Sequence, residues 1–228
     1  MRLLWTAGFV LAVGGFLAGG WTLTGAQVNP QAVELLAQTQ ALYGQAAGFR
    51  ADYIRQSRPA VMAQAGVEAF SHEARGEIIF GREGGLRLIQ LTPTEEEMII
   101  SSEAIWWYLP AAKEAHCYPP SEFQAALSPI VAFFSGLDSL EADFRVKRVP
   151  SADRENRLVI DIIPLKTNIH LDRLRAAIDE QGRVVEVVLY SLIGDETVYR
   201  FSQIKFLDEV PADSFSFHPP QGVKVIRH

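Results

Sequence analysis

Residues 76–91 read GEIIFGREGGLRLIQL, and this stretch decides the fold class. Ile78 and Phe80 fall on alternate positions, which is the period of a β-strand that buries one face. The glycine-rich run 81–85 predicts a turn. The chain then returns as a second apolar segment, 86–91. Two strands joined by a short turn predict an antiparallel hairpin.

Short strands separated by turn signals continue on both sides of this hairpin. Further strands are predicted at 49–53, 98–101, 104–109, 140–149, 158–163, 174–178, 183–191, 197–207 and 223–226. The sum is about 10-11 strands with the pattern of an antiparallel meander. A sheet with this many strands packs against a second layer, closes into a barrel, or curls around the structure that covers one of its faces.

Two segments break the strand pattern and predict helices. Residues 30–43 have apolar side chains at helical spacing, with an Asn-Pro pair at the start and a Gly after the last turn. These are the usual signals of a helix start and end. Residues 119–139 contain two Pro-marked starts followed by apolar residues, which predicts one or two short helices. The expected fold class is therefore α+β, mainly β, in a single domain covering 27–228.

The N-terminal segment 1–26 has the order of a secretory signal peptide. Arg2 precedes an apolar run, and Thr24-Gly25-Ala26 supply small residues before Gln27. This order predicts export and cleavage near Ala26. The alternative is a retained membrane anchor. No Cys follows the small residues, so we expect a soluble protein without a lipid tether.

The composition excludes several classes of function. With a formal net charge of −6 the chain shows no basic face for nucleic acid. Cys117 is the single cysteine, so no disulfide can form within the chain. His72-Glu73 begins like a zinc-binding H-E-x-x-H motif, but the second His is missing. We expect no metal, no cofactor and a monomer.

Four segments follow one another in a recognisable order. They are GFRADY at 48–53, GEI at 76–78 leading through LRL at 86–88 to WWYLP at 106–110, IGDET at 193–197, and FSFHPPQGVKVI at 215–226. Together they resemble the family of periplasmic outer-membrane lipoprotein carrier proteins, the LolA-like proteins. Two elements depart from the family pattern: LRL stands where the family has FRW, and Ser102-Glu103-Ala104 stands where it has an Asp-Gly turn.

The resemblance implies an incomplete antiparallel β-barrel with a helical lid over an apolar cavity. In the family that cavity holds the acyl chains of lipoproteins. An inner-membrane lipoprotein-releasing ABC transporter supplies them, and an acceptor at the outer membrane receives them. The expected partners are therefore acylated lipoproteins, this transporter and this acceptor, in the periplasm.

The resemblance also suggests which residues form the site. It implies that Arg87 hydrogen-bonds the lid closed through backbone carbonyls; the alternative is a strand arginine with a solvated head. The candidates for lining the cavity and lid are Phe49, Tyr53, Phe80, Leu88, Trp106, Tyr108, Ile130, Phe133 and Phe134. Because neighbouring strand residues face opposite sides, at most one of Trp106 and Trp107 can line the cavity.

Two other functions stay open beside the carrier. The first is a periplasmic lipid-binding or sensor module of the same fold that does not shuttle lipoproteins. The second is a hydrolase of lipid-like substrates, for which no G-x-S-x-G motif and no recognisable nucleophile–base spacing occur. We therefore expect a binding protein and no enzyme.

Overall fold

The computed structural model describes residues 30–61, 72–82, 85–120, 134, 144–149, 157–165 and 171–228. One α-helix, α1 (Pro30–Gln45), precedes a series of strands, and a 3-10 turn (Ala212–Phe215) lies near the C-terminal end. The strands are β1 (Gly48–Arg58), β2 (His72–Gly81), β3 (Gly85–Thr92), β4 (Glu96–Ile100), β5 (Ile105–Leu109), β6 (Glu114–Tyr118), β7 (Phe144–Val149), β8 (Leu158–Pro164), β9 (Arg173–Ile178), β10 (Val184–Tyr190), β11 (Glu196–Leu207) and β12 (Lys224–Arg227).

All twelve strands form one open sheet in the order β12-β6-β5-β4-β3-β2-β1-β11-β10-β9-β8-β7. Neighbours pair antiparallel, except that β12 lies parallel to β6. The predicted mainly-β class with an unclosed sheet is confirmed. The predicted helical lid falls on 119–139, where only 119, 120 and Phe134 are among the described residues, so the lid stays a prediction. The predicted signal peptide also lies outside them.

Strand β6 is the strand that the sequence analysis missed. Its residues read EAHCY, which mixes small and polar side chains and contains no β-branched residue. Such a segment has a weak strand propensity of its own. It forms a strand because β5 and β12 pair with it on its two sides.

The sheet has an inner face, defined here as the face on which α1 and Phe134 pack. Tyr43 of α1 places its ring 5.6 Å from Phe49 and 5.0 Å from Phe206. The helix also approaches the turn between β9 and β10, where Gly182 has a φ of +77°. A Cβ at this glycine would lie 3.1 Å from Leu42 Cδ1, a tight contact, and the positive φ favours glycine at this position.

Alternation along the strands separates this inner face from an outer face. On β3, Leu86 and Leu88 belong to the inner apolar cluster. The outer face of the same strand is approached by the C-terminal segment 210–223, in which Ser214 contacts β3. Within the described residues, no helix combines the length and the apolarity that a membrane crossing needs.

Candidate functional site

The inner face of β1, β2 and β3 carries a cluster of aromatic and aliphatic side chains. Phe49 and Phe80 lie directly opposite each other on β1 and β2, with ring centroids 5.5 Å apart. Tyr53 lies four residues further along β1 on the same face, and Leu88 of β3 packs against the cluster from its edge. The structure therefore brings together Phe49, Tyr53, Phe80 and Leu88 as one apolar surface.

Phe134 is wedged into the middle of this surface. Its ring centroid lies 4.7 Å from Phe49, 5.7 Å from Phe80 and 6.1 Å from Phe201, and only 1% of the residue is exposed. Phe134 thus joins the predicted apolar group. The neighbouring candidates Ile130 and Phe133 lie outside the described residues.

A small apolar hollow remains beside the Phe134 ring. Its lining is Ile78, Leu86, Leu88, Phe134, Val187, Tyr199 and Phe201. The free space is about 10 Å³ for the centre of a water-sized sphere, which is the room that about one water molecule needs. An acyl chain can enter only if side chains that now fill the inner face move aside.

The inner face keeps its tyrosines neutral at ordinary pH. Burial raises the pKa of Tyr53 to about 12 and also raises the pKa of Tyr43 and of Tyr199. The Tyr43 hydroxyl oxygen accepts a hydrogen bond from the Val184 N–H at 3.1 Å. These groups therefore contribute no charge that would oppose an apolar ligand.

A hydrogen-bonded set of polar residues lies at one end of the inner face. Arg55 lies opposite Tyr199 in the pairing of β1 with β11, and it donates to Gln90 Oε1 at 3.0 Å. Gln90 in turn donates to the Thr94 carbonyl at 2.9 Å. The sequence analysis missed this group, since only the register of β1 and β3 brings Arg55 and Gln90 together.

Arg87 lies on the outer face, away from the apolar cluster. Its guanidinium donates to Glu97 Oε1 at 2.6 Å and to the Ser214 carbonyl at 3.0 Å. The residue does bind a backbone carbonyl, as the resemblance implied, but that carbonyl belongs to the C-terminal segment. Arg87 was expected at the cavity, but the structure places it on the opposite face of β3, because Leu86 and Leu88 on either side of it point inward.

Trp106 and Tyr108 also lie on the outer face. Their ring centroids are 5.2 Å and 5.3 Å from Phe217 of the C-terminal segment. Both were expected to line the cavity, and the register corrects this. Trp107 lies on the inner face of β5, because it pairs with Met98, which pairs with Leu88.

Arg82 is an arginine whose role the sequence did not reveal. It donates to the Ala46 carbonyl, directly after α1, and at 3.4 Å to the Tyr43 carbonyl in the last turn of α1. A cation at a helix C-terminus satisfies free carbonyls and complements the helix dipole. Its position in the turn after β2 was predicted, but the nearness of that turn to α1 was not.

The described residues offer no group of three His, Cys, Asp or Glu side chains arranged to hold a metal ion. What the site presents chemically is an apolar surface with neutral tyrosines, enclosed by α1 and Phe134. Such a surface binds hydrocarbon through burial of apolar area.

Comparison with known proteins points in the same direction. The family model for the outer membrane lipoprotein carrier protein LolA matches residues 63–218. The chain is 27% identical to the outer-membrane lipoprotein carrier protein of Dechloromonas aromatica over 154 residues, covering 68% of this chain and 72% of that protein. It is 25% identical to the protein of the same name from Nitrosomonas europaea over 155 residues, covering 68% and 73%.

The fold also matches a solved structure. A conserved protein from Thermus thermophilus, described as uncharacterized, superposes with a TM-score of 0.52 at 10% identity. The match covers 86% of this chain and 98% of that chain. This likeness concerns the arrangement of the sheet alone.

Proposed function

Because the chain belongs to the LolA family of outer membrane lipoprotein carrier proteins, we propose that it binds the acyl chains of lipoproteins released from the inner membrane and ferries them to the outer membrane. The observation that carries the proposal is the inner apolar surface, with Phe134 wedged between Phe49, Phe80 and Phe201. This surface is apolar, shielded and already occupied by the chain's own side chain.

The energetics of the cargo explain why a carrier needs such a surface. A triacylated N-terminus has roughly 40 methylene groups, and leaving them in water costs on the order of 30 kcal/mol. A carrier must offer a comparable apolar area. It must also release the cargo, and net affinities do not exceed about −20 kcal/mol. Part of the gain from burial must therefore be offset.

The packing of Phe134 supplies such an offset. Cargo that enters the hollow must displace the ring contacts that Phe134 makes with its neighbours, so binding begins with a loss of internal contacts. The free space of about 10 Å³ is consistent with this, since it accommodates no hydrocarbon chain without movement. We propose that residues around Phe134, within 119–139, form the lid.

The proposal includes a compartment and partners. We propose that 1–26 directs export and is removed near Ala26, which leaves the single domain 27–228 in the periplasm. There the chain would take lipoproteins from an inner-membrane ABC transporter and pass them to an outer-membrane acceptor. It would act as a binding protein without catalytic chemistry.

Mass spectrometry of the molecules that copurify with the protein from the periplasm tests the proposal. We expect acylated peptides or intact lipoproteins. Free phospholipid alone would instead support a lipid-binding or sensor module of the same fold. Crosslinking in cells separates the two functions further: a protein that never contacts the releasing transporter is not the shuttle.

A matched pair of variants tests whether the inner face is the binding surface. Phe134→Ala removes the ring that fills the hollow, whereas Phe217→Ala removes a ring from the outer face. We expect Phe134→Ala to bind a soluble acylated peptide more tightly than the wild type, because fewer internal contacts are displaced. Phe217→Ala should bind it unchanged. Unchanged affinity in both variants would contradict the inner-face assignment.

A further inference from the structure

The most exposed large apolar side chains gather at one rim of the sheet. Strand directions place the end of β1, the end of β3, the end of β8 and the β10–β11 turn at this rim, because neighbouring strands are antiparallel. Among the described residues, five of the six large apolar side chains with the greatest exposure lie there: Val61, Leu91, Leu165, Leu192 and Ile193. The sixth, Val225, lies on the edge strand β12.

The turn between β10 and β11 is the most unusual part of this rim. Its two central residues are Leu192 and Ile193, which are 49% and 60% exposed. Turns are normally rich in Gly, Asn, Asp or Ser, since glycine adopts positive φ and the other side chains hydrogen-bond to nearby backbone. Two large apolar side chains at a turn tip do not contribute to the core, and their exposure to water is energetically unfavourable.

The turn is also held rigidly. The Gly194 N–H donates to the Ser191 carbonyl at 3.0 Å, and the Asp195 N–H donates to Ser191 Oγ at 2.9 Å. Asp195 Oδ1 accepts from the Ala60 N–H at 2.8 Å, which fastens the turn to the end of β1 beside Val61. Three hydrogen bonds therefore restrain the apolar tip.

Asp195 keeps its negative charge beside this tip, because the hydrogen bond that its carboxylate accepts from the neutral Ala60 N–H does not cancel that charge, whereas Glu196 forms an ion pair with Arg58. The side chains of Leu192, Ile193 and Val61 offer an apolar area far smaller than the roughly 1,200 Å² that a stable protein interface buries. Such a small apolar tip is better suited to lipid, because a bilayer needs no complementary shape and an uncharged bilayer does not repel a negatively charged protein.

We infer that the β10–β11 turn, with Val61 beside it, inserts into the surface of a lipid bilayer and brings the inner face next to the membrane. This inference rests on the proposed function, since the transporter and the acceptor with which the carrier would exchange cargo both lie at membranes. It assigns the contact to Leu192 and Ile193. The occupant is an uncharged bilayer surface, because the chain has a formal net charge of −6.

Co-sedimentation with phosphatidylcholine vesicles tests the inference. The double variant Leu192→Ser/Ile193→Ser should lose at least about tenfold in vesicle binding, which corresponds to about 1.4 kcal/mol. Val225→Ser removes an exposed apolar residue on β12 and should bind like the wild type. All three proteins are purified from the periplasm after removal of 1–26, so that this apolar segment does not bind the vesicles and the differences report the substituted residues. Equal binding of the double variant and the wild type would overturn the inference, as would a wild type that does not bind.

Fluorescence of Ile193→Trp provides a second readout. Its emission, after subtraction of the wild-type signal from the native Trp106 and Trp107, should shift to the blue when vesicles are added. An unshifted emission would show that the turn stays in water and would reject insertion.

Binding of a soluble acylated peptide without vesicles separates this inference from the proposed function. The double variant should bind the peptide with wild-type affinity, since Leu192 and Ile193 lie outside the inner apolar cluster. If the peptide binds but the vesicles do not, membrane contact fails and the carrier proposal stands. If the wild type does not bind the peptide, the carrier proposal itself fails.

Discussion

The two faces of β1–β5 are built from alternate residues of the same strands, yet they hold different partners. The inner face packs ring against ring around Phe134, a residue far along the chain from the strands that it contacts. The outer face packs against the C-terminal segment 210–223, through Phe217 and the Ser214 carbonyl. The difference teaches that alternate residues of the same strands can bury apolar surface against one partner segment on one face and bind a different segment on the other.

The geometry at Gly81 supports this division. A Cβ at Gly81 would lie 2.6 Å from the Phe215 ring, so the C-terminal segment approaches the outer face as closely as the backbone of β2 allows. On the inner face of β2, Ile78 lines the hollow beside Phe134. The outer contact is thus closed, whereas the inner contact leaves space.

The largest expected effect comes from the inner face. Phe49→Ala should lower the free energy of unfolding by about 3–5 kcal/mol, because it leaves a cavity among Tyr43, Phe80 and Phe134. Urea denaturation followed by circular dichroism measures this. Phe217→Ala, the outer-face control, should cost less because Phe217 is only half-buried. Equal losses would show that the two faces are equally packed.

Alkaline pH should act on the inner face as well. Burial raises the pKa of Tyr53 from its ordinary 10 to about 12, so the folded protein holds this proton more tightly than the unfolded chain does. The resulting stability is present below pH 10 and is lost as pH rises through 12, by at most about 3 kcal/mol. Denaturation midpoints measured across this range should fall less steeply in Tyr53→Phe than in the wild type.

Arg87→Leu sharpens the comparison from the outer side. The change leaves Glu97 without its cation and the Ser214 carbonyl without its donor, which should destabilise the fold by about 1–3 kcal/mol. Affinity for a soluble acylated peptide should stay unchanged, because Arg87 does not reach the inner cluster. An altered affinity, with stability unaffected, would return Arg87 to the role that the family resemblance implied.

The smallest effect is expected at an exposed ion pair of the outer face. Arg50 pairs with Glu77 across β1 and β2, and the arginine side chain is largely exposed. Arg50→Ala should change stability by less than about 1 kcal/mol, because solvent weakens such pairs. Thermal denaturation at low and high salt measures this, and a larger loss would mean that the outer face depends on charge.

Much of the sheet could be predicted, since apolar residues alternate at Ile78 and Phe80 of β2 and glycine marks the turns that precede β3 and β10. β6 could not, because EAHCY becomes a strand only when β5 and β12 flank it. Within the site, Phe49, Tyr53, Phe80, Leu88 and Phe134 were predicted together and lie together. Arg82 and Arg55 were missed because their contacts join distant parts of the chain.

The sequence decided which residues share a side of each strand, because the side-chain period of a strand is two. It placed Leu86 and Leu88 on one side and Arg87 on the other without reference to the rest of the fold. Only the tertiary structure decided which side faces α1 and Phe134 and which faces the C-terminal segment. That choice depends on contacts between residues far apart in the chain, and no local pattern around Arg87, Trp106 or Tyr108 contains it.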